Sequence, residues 1–180
     1  METINFKSID SKEEYSYYEK FLFSKFLLNA NINGCFSNIN SASLNDRKLK
    51  NNTPFFKQKV YLAKEYDKII AAVTINYNIN EKMFIEDVGF NIKKDNKICE
   101  ALNLYLDENL GMNFIKILLK MQNDIINDLK KRKIKYLYGS CNDKLINLFK
   151  LIFDFQIIDF KYKNMEKIYL LKFTVPLINS

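Results

Sequence analysis

The chain has 180 residues, 28 basic and 21 acidic, for a formal net charge of +7, with 48% hydrophobic and 27% charged side chains. A chain of this length buries roughly 70% of its unfolded surface, and this composition excludes a disordered or collagen-like polymer. No run reaches the roughly 18 apolar residues of a membrane-crossing helix, and Met1-Glu2-Thr3-Ile4-Asn5-Phe6 lacks the basic-then-apolar layout of a signal peptide. The expectation is one cytoplasmic domain over residues 1–180, with no linker and no internal repeat.

Histidine is absent. That removes Ser-His-Asp and Cys-His hydrolysis, His-ligated zinc and imidazole general bases. Cys35, Cys99 and Cys141 are far apart with no C-x-x-C, so they read neither as a disulfide framework nor as a metal cluster. Acid–base work falls to carboxylates, tyrosines, lysines or a thiol. All but two of the basic residues, Arg47 and Arg132, are lysines. A nucleic-acid reader favours arginine for bidentate contacts, so DNA or RNA is a disfavoured partner resting on net charge alone.

In chain order, apolar side chains at Tyr15, Tyr18, Leu22 and Phe26 give residues 13–28 the spacing of a helix, with Ser11 or Asp10 as its cap. Residues 29–54 are polar, with Gly34 and Pro54, and read as a long connection: a flap over a pocket or a plain surface excursion. Strands are expected at 58–66 and 68–77, turning at Asp67-Lys68. A less regular stretch with Gly89 leads to a strand at 98–106. Regular alternation there puts Glu100, Leu102, Leu104 and Leu106 on one face, and Cys99, Ala101, Asn103 and Tyr105 on the other. A long helix begins near Asn113, with Phe114, Leu118, Met121, Ile125 and Leu129 on one face and Lys130-Lys131-Arg132-Lys133 at its C-terminal end. A strand at 134–138 follows, then a helix capped by Asn142 or Asp143 and running through Leu145, Leu148, Phe149 and Ile152. Strands at 155–160 and 168–173, with a turn near Asn164, close the chain.

This order resembles the GNAT superfamily of N-acetyltransferases over about residues 10–175. Val60-Tyr61-Leu62-Ala63-Lys64-Glu65 and Lys68-Ile69-Ile70-Ala71-Ala72-Val73-Thr74 look like its central hairpin, and Ser140-Cys141-Asn142 through Phe155 looks like its closing helix. The nearest likeness is to the acyl-homoserine lactone and long-chain N-acyl amino acid synthases, which have an insert where residues 78–97 lie and a glutamate early in the next strand, as at Glu100. The resemblance implies an α/β fold in three layers: a mixed central sheet of about six or seven strands with helices on both faces.

It also implies acyl transfer from an acyl-CoA or acyl carrier protein thioester, the synthase-like insert favouring a fatty one, to a small amine such as an amino acid, without a metal. In such a fold two central strands splay apart, and the exposed backbone of one, here around Leu104 and Leu106, pairs with the donor's pantetheine arm. Glu100 is then the candidate base for the attacking amine, and Tyr105 and Tyr138 are candidate proton donors to the leaving thiolate. Gly111, Met112 and Asn113 offer backbone amides to the donor phosphates, and Asn142 a contact to the pantetheine region beside its capping role. Cys141 lacks a histidine partner and reads as a small buried residue.

Phe21, Phe23, Phe26, Phe55 and Phe56 line an acyl channel or simply fill the core. The Lys130–Lys133 run docks an acyl carrier protein or is a solvated helix end. Three positions depart from the family pattern: Leu110 stands where the phosphate loop has an arginine, Asn103 where the synthases have one, and Phe149 where a tyrosine is common. These losses keep open a second function, a catalytically silent module of this fold that binds an acyl thioester or a protein partner.

Overall fold

A computed structural model describes residues 4–28, 41–43, 47–50, 55–77, 79–111, 113–163 and 165–176. Most of the expected connection over 29–54, with Cys35, Met112 and the turn at Asn164, lies outside the described residues, as does the side chain of Phe26. The elements run β1 (Ile4–Ser8), α1 (Lys12–Leu28), β2 (Ser41–Ser43), β3 (Lys48–Lys50), β4 (Gln58–Glu65), β5 (Lys68–Asn76), α2 (Phe84–Asp87), β6 (Ile98–Leu106), α3 (Asn113–Lys131), β7 (Tyr136–Asn142), α4 (Asp143–Ile152), β8 (Gln156–Lys163) and β9 (Glu166–Thr174). Single 3-10 turns at Phe55–Lys57 and Glu108–Leu110 lead into β4 and towards α3.

Among the described residues seven strands form one mixed sheet in the order β1-β4-β5-β6-β7-β9-β8, and β2 and β3 pair separately. Six of the seven sheet strands answer to sequence expectations; β1 was not anticipated. It pairs antiparallel with β4, Ile4 opposite Glu65 through Ser8 opposite Tyr61, and its Ile4 and Phe6 pack into the core beneath α3. β7 runs on to Asn142, so Cys141 lies within a strand, opposite Tyr169 of β9, and is buried as a small residue there.

Helices cover both faces. On one, α1 lays Tyr15, Tyr18, Leu22 and Phe23 against Val60 and Leu62 of β4. Of its two candidate caps the fold uses Ser11, whose hydroxyl accepts the Glu14 N–H at 3.1 Å. The same face continues under the segment around α2, where Met83, Ile85 and Phe90 cover Ile98, Ile168 and Leu170. On the opposite face α3 buries Ile117, Leu118, Met121, Ile125 and Leu129, and α4 packs Leu145 and Ile146 against Cys141 and Leu171.

The C-terminal end of α3 is tied down by a polar cluster. Asp128 accepts from the hydroxyls of Tyr61 at 2.8 Å and Tyr77 at 3.1 Å and from Nε of Arg132 at 3.1 Å, with Lys59 at 3.4 Å. Burial works to raise the Asp128 carboxyl, but these donors prevail and hold it below its ordinary range. Among the described residues no helix is long and apolar enough to cross a membrane.

Candidate functional site

The site begins where two parallel strands part. β6 and β7 pair over three positions only, Ile98 with Tyr136, Cys99 with Leu137 and Glu100 with Tyr138. Beyond that point β6 stays with β5 up to Leu106, and β7 stays with β9 up to Asn142. The diverging strands leave a cleft of ≈130 Å³ whose walls include Leu118, Met121 and Ile125 of α3, and Phe149 and Phe153 of α4 with Phe155. Its lining is almost wholly apolar; Asn103, Gln122, Tyr138 and Ser140 are the polar exceptions.

A bulge makes β6 change faces inside the site. The register with β5 jumps from Thr74–Asn103 to Ile75–Ala101, leaving Leu102 as the extra residue. The expected regular alternation is therefore broken at Leu102. Cys99 and Ala101 pack under α3, and so does Leu106, while Tyr105 turns to the α1 side. Odd and even positions exchange faces across the bulge, so Glu100 and Leu104 no longer share one.

Glu100 is 0% exposed. Its carboxylate accepts the backbone N–H groups of Phe84 at 3.1 Å and Ile85 at 2.7 Å and the side-chain amide of Asn76 at 3.2 Å. Burial raises its pKa above the ordinary 4.5, against the opposing pull of these donors. Glu100, the candidate base, is buried and fully bonded in this geometry. Both oxygens are occupied in fastening α2 to β6, and the side chain does not line the cleft. The same holds for Tyr105. Its ring packs edge-on to Phe21 at 4.9 Å, and its hydroxyl donates to Asp107 at 3.4 Å on the α1 side, away from the cleft.

Tyr138 does reach the site. It lines the cleft and packs against the Met83–Ile85 group at the seam between the two faces. Burial pushes its hydroxyl pKa up, which keeps it protonated. Leu104 lines the same cleft, whereas Leu106 packs beside it with α3. Phe21, Phe23 and Phe55 belong to the α1 core rather than to a channel, and Phe56 is exposed.

Gly111 stands between the 3-10 turn and α3, with φ +51° and ψ −139°. A side chain there would meet no atom within 4 Å, so backbone conformation, not space, calls for glycine. Asn113 opens α3 and is exposed. Before them, Asp107 accepts from Asn109 N–H at 3.0 Å and from Lys68 at 2.8 Å. Burial opposes these bonds, and they still hold its carboxyl below the usual value.

Two side chains carry a signal that sequence reading missed or only half caught. Asn103 is 7% exposed and Asn142 is 5% exposed. The Oδ1 atom of each is buried with no hydrogen-bond partner among the described residues. Asn142 occupies the N-cap position of α4, yet its side chain makes no capping bond. One lies on each arm of the fork, three residues and four residues beyond the last β6–β7 pair. A buried acceptor left empty costs about 1–3 kcal/mol, and such a cost is met when a ligand brings the donor. Asn103 stood out in the sequence only as a missing arginine.

No protein-family model matches the sequence, and no curated protein matches it. Solved structures do. The acyl-homoserine lactone synthase LasI is similar over 98% of this chain and 92% of its own, at a TM-score of 0.75 and 10% identity. FeeM, an N-acyl amino acid synthase from uncultured soil microbes, is similar over 97% and 92%, at 0.62 and 12% identity. A probable acetyltransferase from Staphylococcus epidermidis is similar over 97% and 100%, at 0.62 and 16% identity. At such identities the likeness speaks for architecture, and it agrees with the mixed sheet and forked strands described above. The chain has the GNAT fold, the architecture it shares with these synthases and with the acetyltransferase alike.

Proposed function

We propose that this protein transfers an acyl group from a thioester donor to a small amine. The observation that carries the reading is the apolar cleft opened by the fork, with Asn103 in its wall and Asn142 further along the other arm, each with a buried amide oxygen that no described residue satisfies. An apolar pocket closed by α3 and α4 suits a hydrocarbon tail, and a fatty acyl chain is the expected cargo. The thioester carbonyl sits at the mouth of the fork. The Oδ1 atoms of Asn103 and Asn142 accept N–H groups of the bound donor, and the α3 N-terminus after Gly111 and Asn113 faces its phosphates. The similar synthase BjaI is CoA-dependent, which favours acyl-CoA as donor. An acyl carrier protein docking near Lys130 and Lys131 is the alternative source of the same thioester.

The neutral amine nitrogen attacks the thioester carbon, and the C–S bond breaks with its electron pair going to sulfur. The proton that the nitrogen sheds as the amide forms passes to water, and the thiolate takes a proton from Tyr138, which water restores. A thiol of pKa about 8.5 needs little help, and Tyr138, kept protonated by burial, is the donor in reach of the cleft. Phe149 lines the cleft without a hydroxyl, so α4 supplies no proton. Glu100 holds α2 in place and takes no proton from the amine, which is deprotonated before it attacks. The rate then rises with pH along the amine's own titration, near pH 8 for an α-amino group, with no inflection from a carboxylate.

The test is thiol release from acyl-CoAs of increasing length and from acyl carrier protein, with a panel of amino acids as acceptors. Thiol release that depends on the amine supports the proposal. Thermal stabilisation by long-chain donors without turnover would favour the silent binding module, a reading to which the bare Phe149 ring lends weight. Neither turnover nor stabilisation with any donor would sink both.

A further inference from the structure

The last strand of the sheet looks unfinished. Among the described residues β8 has one neighbour, β9, and forms the sheet edge. All eight of its residues are exposed. Phe160 is 49% exposed and Tyr162 70%, with Ile157 and Ile158 also open. The rings of Phe160 and Tyr162 meet edge-on at 6.1 Å on one face. The Phe160 N–H donates to the carboxylate of its own neighbour Asp159 at 2.8 Å, a local bond of the kind an edge makes when no strand lies beside it. A long apolar edge is a template for another strand.

We propose that β8 pairs antiparallel with β8 of a second copy of this chain, joining the two sheets across a two-fold axis at Phe160. The charges on the strand select both occupant and register. In a two-fold pairing each residue faces its mirror position, and opposite residues must share a face. Centring on Asp159 opposes two aspartates, and centring on Lys161 opposes two lysines. Both place like charges directly across the ladder, which is unfavourable. Centring on Phe160 sets Asp159 against Lys161 twice, brings Phe160 onto Phe160, and faces Ile158 with Tyr162. The bulge at Ile158, where the register with β9 shifts between Ile157 and Asp159, limits the regular ladder to Asp159–Lys161 of each copy, with Ile158 and Tyr162 meeting at its two ends. The strand is thus complementary to itself in one register.

The experiment is sedimentation analysis of the full chain over a wide concentration range, with three variants. The wild type forms a dimer. Asp159→Lys sets lysine against lysine and weakens association at least tenfold, and Asp159→Lys with Lys161→Asp exchanges the pair and restores the dimer. Under mild oxidation Phe160→Cys cross-links across the axis, where facing Cα atoms of a hydrogen-bonded pair stand about 5.5 Å apart. Tyr162→Cys, which faces Ile158, and the wild type with its own cysteines stay uncross-linked. A wild type that remains monomeric, because the edge is open or belongs to a different chain, overturns the proposal. So does a dimer that survives Asp159→Lys, since it uses another surface, or a cross-link at 162 in place of 160.

Discussion

The two halves of β6 do opposite things with the same strand. From Ile98 to Glu100 it is locked between β5 and β7, and its one charged side chain is saturated by three donors. From Ala101 to Leu106 it has parted from β7, its residues up to Leu104 line an apolar cleft, and the polar group it buries there, Asn103, has an oxygen with no partner among the described residues. A satisfied buried polar group fixes structure, while an unsatisfied one marks where a missing partner belongs. The closed half therefore sets the position of the fork, and the open half supplies the site.

Breaking the closed half gives the largest effect. Glu100→Ala leaves the N–H groups of Phe84 and Ile85 and the Asn76 amide without their acceptor, and stability falls by roughly 3–5 kcal/mol, read by urea unfolding. If Glu100→Ala melts like the wild type, the fastening role is wrong. Opening the other half costs less and alters function. Met121 is buried and lines the cleft, and Met121→Ala lowers stability by about 2–4 kcal/mol while lengthening the best acyl donor by about two carbons. Competition assays between donors of different length would show it; an unchanged length preference places the acyl chain elsewhere.

The sharpest contrast comes from Asn103→Leu. Removing an orphaned acceptor leaves the ligand-free protein as stable as before or more so, by up to about 1 kcal/mol. The donor loses its partner at the same time, and turnover falls about tenfold. A variant that loses stability and keeps its activity would refute the assignment. The smallest effect is in pH. Glu100 is raised from 4.5, so its contribution is complete below that value and fades as pH climbs through the raised pKa. Asp128 is lowered from 3.8, so its contribution is complete above that value and is lost as pH falls through the depressed pKa. Melting curves between pH 3 and 7 should show the penalty of Glu100→Gln shrinking towards neutrality and that of Asp128→Asn growing.

The hairpin of β4 and β5, the long α3 and the closing pair of strands could be read from the sequence because their β-branched runs and helical spacing are local. β1 could not. Its two apolar residues, Ile4 and Phe6, acquire meaning only beside β4, more than fifty residues later. Leu102 gives no local sign of a bulge, since the extra residue exists only relative to β5, and so the faces of Leu104 and Tyr105 were open to misassignment. Glu100 was conspicuous as a carboxylate in an apolar strand. Its partners are backbone amides of Phe84 and Ile85, which have no signature in side-chain identity, and so its task was hidden. Asn142 reads from the sequence as a cap and as a contact to the donor, while its buried oxygen, unpartnered among the described residues, is a property of the packed molecule.

The polar cluster at Asp128 also divides α3 into two kinds of contact. Its far end is bonded through the Tyr61 and Tyr77 hydroxyls to β4 and the residue after β5, while Leu118 and Met121, nearer its start, meet the cleft through apolar surface alone. Hydrogen bonds fix direction and apolar contacts do not, so a change of side-chain volume at Leu118 or Met121 reshapes the cleft while the Asp128 anchor keeps the helix in place.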